Sequence, residues 1–256
     1  MELGLAKRAL ITGAGRRLGQ AMAIALAEDG FEVAIHYNGS ETGARETLAA
    51  VEKAGGKGIL LPTNLMHEGE VAALVTRASQ EMGGALGLLI NNASAFEDDD
   101  VLTHTRSSWD LHMQVNLRAP ILLSQSFARD RNEGERGLVI NMIDQRVWKL
   151  NPNFFTYTLS KSALWSATRT LAQALAPAIR VNGIGPGPTL QNARQDDSDF
   201  RKQVEATLTG KGSSPEEIVK AVRFLIDAEA VTGQMIAVDG GQHLIWQTPD
   251  VVDVIE

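Results

Sequence analysis

The pentapeptide Tyr157-Thr158-Leu159-Ser160-Lys161 holds the residue types with the most chemical potential in this chain. On a helix, residues four apart share a face, so the phenol of Tyr157 and the ammonium of Lys161 point the same way. A fixed cation beside a phenol favours phenolate and lowers the tyrosine pKa from its usual value of about 10. The spacing therefore predicts that Tyr157 handles a proton near neutral pH. The plain alternative is a tyrosine and a lysine on a half-exposed helix. Two features upstream favour the chemical reading: a glycine-rich turn suited to a dinucleotide, and a carboxylate, Asp144, shortly before the tyrosine.

The turn lies near the start. Ala9-Leu10-Ile11-Thr12 reads as a short apolar strand that runs into Gly13-Ala14-Gly15-Arg16-Arg17-Leu18-Gly19. A helix follows through Ala21, Met22, Ala25 and Leu26 and stops at Gly30; residues 31–37 form a second strand. Strand, glycine turn, helix and strand in this order predict a dinucleotide site. Glycines let the backbone approach a pyrophosphate, and the helix N-terminus offers N–H groups to it. The acid that ordinarily holds the ribose 2′-hydroxyl of NAD at the end of the second strand is absent, and His36-Tyr37-Asn38-Gly39-Ser40 stands there instead. Arg16 and Arg17 sit in the turn. A missing carboxylate and a nearby guanidinium favour a 2′-phosphate, so the expected cofactor is NADP(H). A solvated turn is the alternative for the arginines.

The remaining elements must bring these groups together. Helices are expected over 42–54 and 68–82, and strands over 58–62 and 86–90, with Asn64-Leu65 leaving the former. The strand at 86–90 has no polar side chain, as where both faces of a parallel sheet are covered. It ends in Asn91-Asn92-Ala93-Ser94-Ala95-Phe96. Open α/β sheets bind ligands at strand carboxyl ends, so these residues are expected to face the cofactor; a core role for Phe96 remains open. Glu97-Asp98-Asp99-Asp100 reads as a solvated loop. A helix over 109–129 carries Pro120, which removes a hydrogen bond and kinks it, leaving Asn116 to meet freed backbone groups or a water. Strands at 138–143 and 179–184 flank the helix of Tyr157 and Lys161, which extends to 176. Residues 188–212 form a polar segment suited to a lid. Ser214-Pro215-Glu216-Glu217 begins another helix, and 235–238 is a last strand before Asp239-Gly240-Gly241. The tail at 242–256 is unassigned.

Composition narrows the class. The 256 residues carry a net charge of −7, which does not suggest a nucleic-acid or anionic-membrane surface. There is no cysteine, which removes disulfides, thiol nucleophiles and Cys-ligated metals. No metal is expected. No signal peptide or membrane span is read, so a soluble cytoplasmic protein of one domain is expected.

Taken together, Thr12-Gly13 with Gly19, Asn91-Asn92-Ala93, Asn116, Tyr157 with Lys161, Pro186-Gly187, and Thr232-Gly233 leading to Val238-Asp239-Gly240-Gly241 resemble the short-chain dehydrogenase/reductase family over residues 6–245. The resemblance implies an α/β Rossmann-type doubly wound sheet of about seven parallel strands with helices on both faces, a nicotinamide cofactor, and a homotetramer or homodimer. By matching position it places Gly13, Arg16, Arg17, Leu18, Gly19, His36, Tyr37, Asn38, Ser40, Asn64, Leu65, Asn92, Ala93, Ser94, Tyr157, Lys161, Pro186 and Gly187 around the cofactor.

The departures from the family pattern are more specific. Arg17 stands where a glycine is usual, Asn64 replaces the acid near the adenine, and Asp144 stands where the catalytic serine is usual. In the first and third of these, and in its His-Tyr pair and Asn-Asn-Ala-Ser-x-Phe segment, the chain resembles the pteridine reductases. That likeness implies a pterin or dihydrofolate-like substrate against Ser94, Phe96, Asp144 and Tyr157, with Asp144, Tyr157, Lys161 and Asn116 catalytic. Chemistry supports it. An ionised carboxylate repels the oxyanion of a reduced ketone, whereas pterin N–H donors suit it. A helix-capping or loop carboxylate is the alternative for Asp144. Two other functions stay open: a carbonyl or alcohol oxidoreductase of the same fold, and a non-catalytic dinucleotide sensor.

Overall fold

The computed structural model describes residues 4–191 and 195–252. Short, nearly continuous apolar runs become strands, and in the central ones residues of both faces are buried. The strands are β1 (Arg8–Ile11), β2 (Glu32–Tyr37), β3 (Gly58–Pro62), β4 (Leu88–Asn91), β5 (Gly137–Met142), β6 (Ile179–Pro186) and β7 (Met235–Val238). They form one parallel seven-stranded sheet in the order β3-β2-β1-β4-β5-β6-β7. The helices are α1 (Arg17–Glu28), α2 (Glu41–Lys53), α3 (Glu68–Glu81), α4 (Arg106–Met113), α5 (Ala119–Arg129), α6 (Phe155–Leu175), α7 (Asp197–Glu205) and α8 (Pro215–Asp227).

The pleat sends alternate side chains to opposite faces. In β5, Leu138 and Ile140 pack with Ile11, Met22, Leu26 and Val222 on one face. Val139 packs with Leu10, Leu74, Leu123 and Phe127 on the other. The strand order reverses between β1 and β4, the switch point outside whose carboxyl ends sheets of this kind bind ligands.

Two expectations are corrected. The segment expected to be one kinked helix begins at Arg106 and is interrupted by a π-helical turn, Gln114–Arg118. Pro120 has no N–H to offer the carbonyl of Asn116, and the wider turn accommodates that loss. The acidic run is not uniformly solvated: Asp99 is buried, and Asp100 holds its own turn by accepting from Leu102 N–H at 2.7 Å and Thr103 N–H at 2.8 Å. The 188–212 segment contains α7. Residues 192–194 and 253–256 of the expected lid and tail lie outside the described residues, and the tail begins with a 3₁₀ turn, Gln242–Leu244.

The glycine turn is held from below by His36. Gly13, at φ +65°, donates its N–H to His36 Nδ1 at 3.0 Å. That fixes the ring proton on Nε2, which donates to Thr63 O at 3.1 Å. Burial lowers the His36 pKa from 6.5 to about 4, against the opposing bond to Thr63. A group whose folded pKa is depressed stabilises the fold above its unfolded pKa and loses that contribution as pH falls. Against a His36→Gln variant, wild-type stability should therefore drop between pH 6.5 and pH 4, by about 3 kcal/mol when complete. Urea unfolding of both proteins across that range measures it, and parallel curves would contradict it.

Candidate active site

Tyr157 lies in the first turn of α6, and Asp144 caps the 3₁₀ turn Gln145–Val147 just after β5. The two meet: the Tyr157 hydroxyl donates to Asp144 Oδ2 at 2.8 Å. Asp144 Oδ1 accepts the backbone N–H of Arg146 at 2.8 Å, so the carboxylate is both a cap and a site group. Lys161, one turn along α6, donates to the carbonyl of Met142 at the end of β5, 2.8 Å away. Its Nζ is 5.8 Å from the Tyr157 ring centroid.

The expected effect of Lys161 on Tyr157 is corrected. The Tyr157 pKa is pushed well above its usual value, first by burial, then by the charge and hydrogen bond of Asp144; Arg146 opposes this. Burial lowers Lys161 from 10.5 to about 8, with Asp144 opposing. Helical spacing placed both groups on one face, but the enclosed surroundings and the carboxylate decide the sign. Tyr157 holds its proton firmly and presents it to Asp144.

Asn116 sits in the π turn and is fully buried. Its Oδ1 accepts from Ala95 N–H at 2.8 Å and from the Ser94 hydroxyl at 3.2 Å. Its Nδ2 donates to Ala95 O at 2.9 Å and Ser160 Oγ at 3.1 Å. Asn116 thus ties the loop after β4 to α6, through Ser160 next to Lys161. Phe96, on that loop, stacks on Phe154 with centroids 4.4 Å apart and packs edge-on to Tyr157 at 4.6 Å. Phe96 thus packs against the phenol ring from the loop after β4.

Helix α6 starts without a cap of its own. Phe154, the N-cap, has φ +56° and makes no side-chain cap bond. Asp99 supplies the cap from afar: its carbonyl accepts from Phe155 N–H at 3.0 Å and its carboxylate from Thr156 N–H at 3.0 Å. A carboxylate at this end also suits the helix dipole. Burial raises the Asp99 pKa, but the bonds from Thr156 and Ser108 outweigh it, leaving the group below its usual value.

Around the glycine turn the expected residues divide. Gly19 permits a contact that no side chain allows, since a Cβ there would lie 2.3 Å from Gly13 O. Asn92 N–H and Ala93 N–H both donate to Thr12 Oγ1 at 2.9 Å, and Asn92 Nδ2 donates to Thr12 O at 2.8 Å. Asn92 therefore locks the turn to β4. Leu18, Tyr37 and Leu65 pack into the core. Asn64 Oδ1 accepts from Met66 N–H at 3.0 Å, which shapes the loop after β3. Pro186 pairs with Val238 in β7, and a Cβ on Gly187 would come within 2.6 Å of Asp239 Cα. Arg16, Asn38 and Ser40 remain open at the crevice, the first two exposed and Ser40 half-buried. Arg17, at φ +55°, reaches across and donates to Gln191 O at 2.7 Å and Leu190 O at 3.0 Å.

Thr12, Asp99, Ser160 and Arg146 were not picked out as site residues from the sequence. Thr12 precedes the glycine turn and Arg146 follows Asp144 by two residues, positions that signal them; Asp99 and Ser160 act across 57 and 44 positions and leave no local pattern. A separate cavity of about 520 Å³ opens at the amino ends of the strands, lined by Lys7, Phe31, Arg180 and Thr232. It lies at the wrong end of the sheet to meet Tyr157. Among the described residues no group of three or more His, Asp or Glu side chains is arranged to hold a metal, and no helix is long and apolar enough to cross a membrane.

Known proteins share this architecture. The structure of FolM alternative dihydrofolate reductase 1 from Brucella canis, complexed with NADP, matches with a TM-score of 0.93 and 46% identity, covering 98% of this chain and 100% of that one. The Brucella suis counterpart, in complex with NADP, matches with a TM-score of 0.92 and 47% identity over 96% of this chain and 98% of that one. A 2-dehydro-3-deoxy-D-gluconate 5-dehydrogenase from Dickeya dadantii is 33% identical, over 92% of this chain and 94% of its own length. The family model described as enoyl-(acyl carrier protein) reductase matches residues 13–243. With a parallel seven-stranded sheet, Tyr157 and Lys161 one turn apart, and these matches over nearly the whole length, the chain belongs to the short-chain dehydrogenase/reductase family of oxidoreductases.

Proposed function

We propose that this chain is an NADPH-dependent reductase acting on a C=N bond of a pterin or a dihydrofolate-like molecule. The observation that carries the reading is the hydrogen bond from the Tyr157 hydroxyl to Asp144 Oδ2 at 2.8 Å. A carboxylate in contact with the proton donor disfavours an oxyanion nearby. It suits a nitrogen heterocycle, whose N–H and amino donors need an acceptor and whose reduced nitrogen needs a proton. The FolM structures from Brucella, 46% and 47% identical and holding NADP, support the same substrate class and cofactor.

The chain fits the cofactor. The turn between Gly13 and Gly19 leaves backbone where a side chain would block approach, and the N-cap of α1, Arg16, makes no side-chain cap bond. That leaves the helix N-terminus for a phosphate. At the end of β2 the open side chains are Asn38 and Ser40, and the next acid, Glu41, is paired with Arg45 at 2.6 Å. This favours a 2′-phosphate over a bare ribose, with Arg16, Arg17 and Ser40 to hold it.

When bound, NADPH supplies a hydride to the C=N carbon. The chain supplies the proton: Tyr157 and Asp144 hold it between them and deliver it to the nitrogen. Lys161 and Arg146 are the cations near the negative charge left behind. Phe96, one face of which stacks on Phe154, borders the flat ring system, a contact of about 0.5–1.5 kcal/mol. Asn116 fixes the loop that carries Ser94 and Phe96. Assembly into a homotetramer or homodimer belongs to the same reading.

An NADPH-oxidation assay across dihydrobiopterin, dihydromonapterin, dihydrofolate and a ketone panel tests the substrate class. Turnover of ketones alone supports the carbonyl oxidoreductase reading, and NADPH binding without any turnover supports a sensor. NADPH should outperform NADH in kcat/KM; the opposite ranking removes the phosphate argument. Tyr157→Phe should lower kcat by about 10²–10⁴-fold while NADPH still binds. Asp144→Ser should damage pterin reduction and admit carbonyl substrates; unchanged pterin turnover would remove the role given to Asp144.

A further inference from the structure

The run that joins Asp144 to Tyr157, residues 145–156, carries Arg146 and Lys149 and no Asp or Glu. It is a locally cationic stretch in a chain of net charge −7. Arg146 is tied to the proton-handling pair through its backbone, whose N–H donates to Asp144 Oδ1 at 2.8 Å. Its guanidinium lies over the Phe154 ring, 5.2 Å from the centroid. Phe154 stacks on Phe96 at 4.4 Å, and Phe96 meets Tyr157 edge-on at 4.6 Å. A continuous row of contacts thus runs from the phenol through two aromatic rings to a cation. The charge of Arg146 reaches Tyr157, where it opposes the effect of burial and Asp144 on the phenol.

The protein makes little use of this guanidinium. Such a group offers a planar fork of N–H donors and no acceptor. Arg106, Arg118 and Arg223 each bond a carboxylate, at 2.6, 2.8 and 2.7 Å. Arg146 instead donates from Nη1 to the neutral amide oxygen of Asn151 at 3.0 Å. Its Nε is buried and has no partner. The acid that meets the start of α6, Asp99, is engaged by the N–H and hydroxyl of Thr156. A cation seated on an aromatic face, with donors to spare and only a neutral partner, is built to receive an anion.

We propose that Arg146 is a specificity-determining residue that binds an anionic group, carboxylate or phosphate, on the tail of the heterocycle reduced at Tyr157 and Asp144. The inference rests on the pterin or dihydrofolate reading and narrows it, from neutral-tailed to acid-tailed substrates. A guanidinium matches both anions in bidentate geometry, and an ammonium does not. Recognition of a tail is a binding effect, separable from the influence of Arg146 on the charge at Tyr157.

The test is isothermal titration calorimetry of the full-length protein with NADP⁺ bound, where no hydride is available. Two matched pairs of ligands are compared: folate with its dimethyl ester, and neopterin phosphate with neopterin. Within a pair the heterocycle is the same and the acid group differs. In at least one pair the acid member should bind about tenfold tighter, the scale of one hydrogen bond between charged groups. That preference should shrink as salt is added. Arg146→Gln should remove most of it, and Arg146→Lys should keep part. The pair that shows the preference identifies the anion.

Equal affinities within both pairs overturn the proposal. So does an Arg146→Gln variant that weakens acid and neutral members by the same factor, the signature of a loop that has only lost its bond to Asn151. If Arg146→Gln does not fold, the wild-type pairs, their salt dependence and Arg146→Lys still decide the matter. Where the neutral members bind and the acid preference is missing, this proposal alone falls. Where none of the four ligands binds, the pterin reading falls with it.

Discussion

A buried phenol donates its proton to a carboxylate, and the surrounding architecture serves to keep the two together. Removing polar groups from water costs free energy unless each finds a partner. The central groups do: Asp144 accepts from Tyr157 and from Arg146 N–H, and Lys161 donates to Met142 O, although Gln145 Oε1 and Arg146 Nε beside them are buried without a hydrogen-bond partner. Two elements supply all these partners, the carboxyl end of β5 with its following turn, and the first turns of α6. The junction is reinforced deeper in the sheet. Asn91 donates to Asn141 at 2.8 Å, and Asn141 donates to Thr168 on α6 at 2.9 Å. The strand that leads to Asp144 is thereby tied to the helix that carries Tyr157, and their spacing is set by the sheet.

The legible parts of this design were the local ones. The strand at 58–62 has the limits that its apolar run indicated, and Ser214 caps α8 with Pro215 in its first turn, as the sequence Ser-Pro-Glu-Glu implies. The glycine turn was readable because Gly13 and Gly19 answer to steric limits within a few residues. What the sequence hid acts over distance. Asp99 caps a helix that begins 56 positions later by accepting from Phe155 (155 − 99 = 56), so its acidic neighbours made it look like part of a solvated run. His36 supports the turn from behind, a role that its place beside Tyr37 does not reveal. The sign of the Tyr157 shift was also out of reach: spacing reports that Lys161 shares a face, while burial and Asp144 set the energy.

Arg17 occupies a place where backbone geometry and charge conflict. A left-handed conformation is strained for any residue with a Cβ, yet Arg17 adopts φ +55° at the mouth of the glycine turn. Its guanidinium meets the carbonyls of Leu190 and Gln191 from the segment after β6. Neutral carbonyls are weaker partners for a guanidinium than an anion. The same side chain is therefore placed to hold the two sides of the crevice together or to engage a phosphate there. This explains how a residue that strains the turn is compatible with it.

The replacement of a hydroxyl by a carboxylate at position 144 changes which charge the site tolerates. A hydroxyl can donate to an oxygen that gains negative charge, whereas a carboxylate can only accept unless it is protonated. With Tyr157 donating to Asp144, the phenol proton is committed in the resting site. A substrate that brings its own N–H donors satisfies the carboxylate and releases that proton for transfer. A simple carbonyl brings none, and leaves carboxylate and developing oxyanion facing each other at low dielectric. The aromatic ring of Phe96, 4.6 Å edge-on from Tyr157, suits the proposed fused heterocycle better than an aliphatic chain. On the proposed reading, the charge at 144 and the aromatic ring at 96 favour the same chemical class by independent physics.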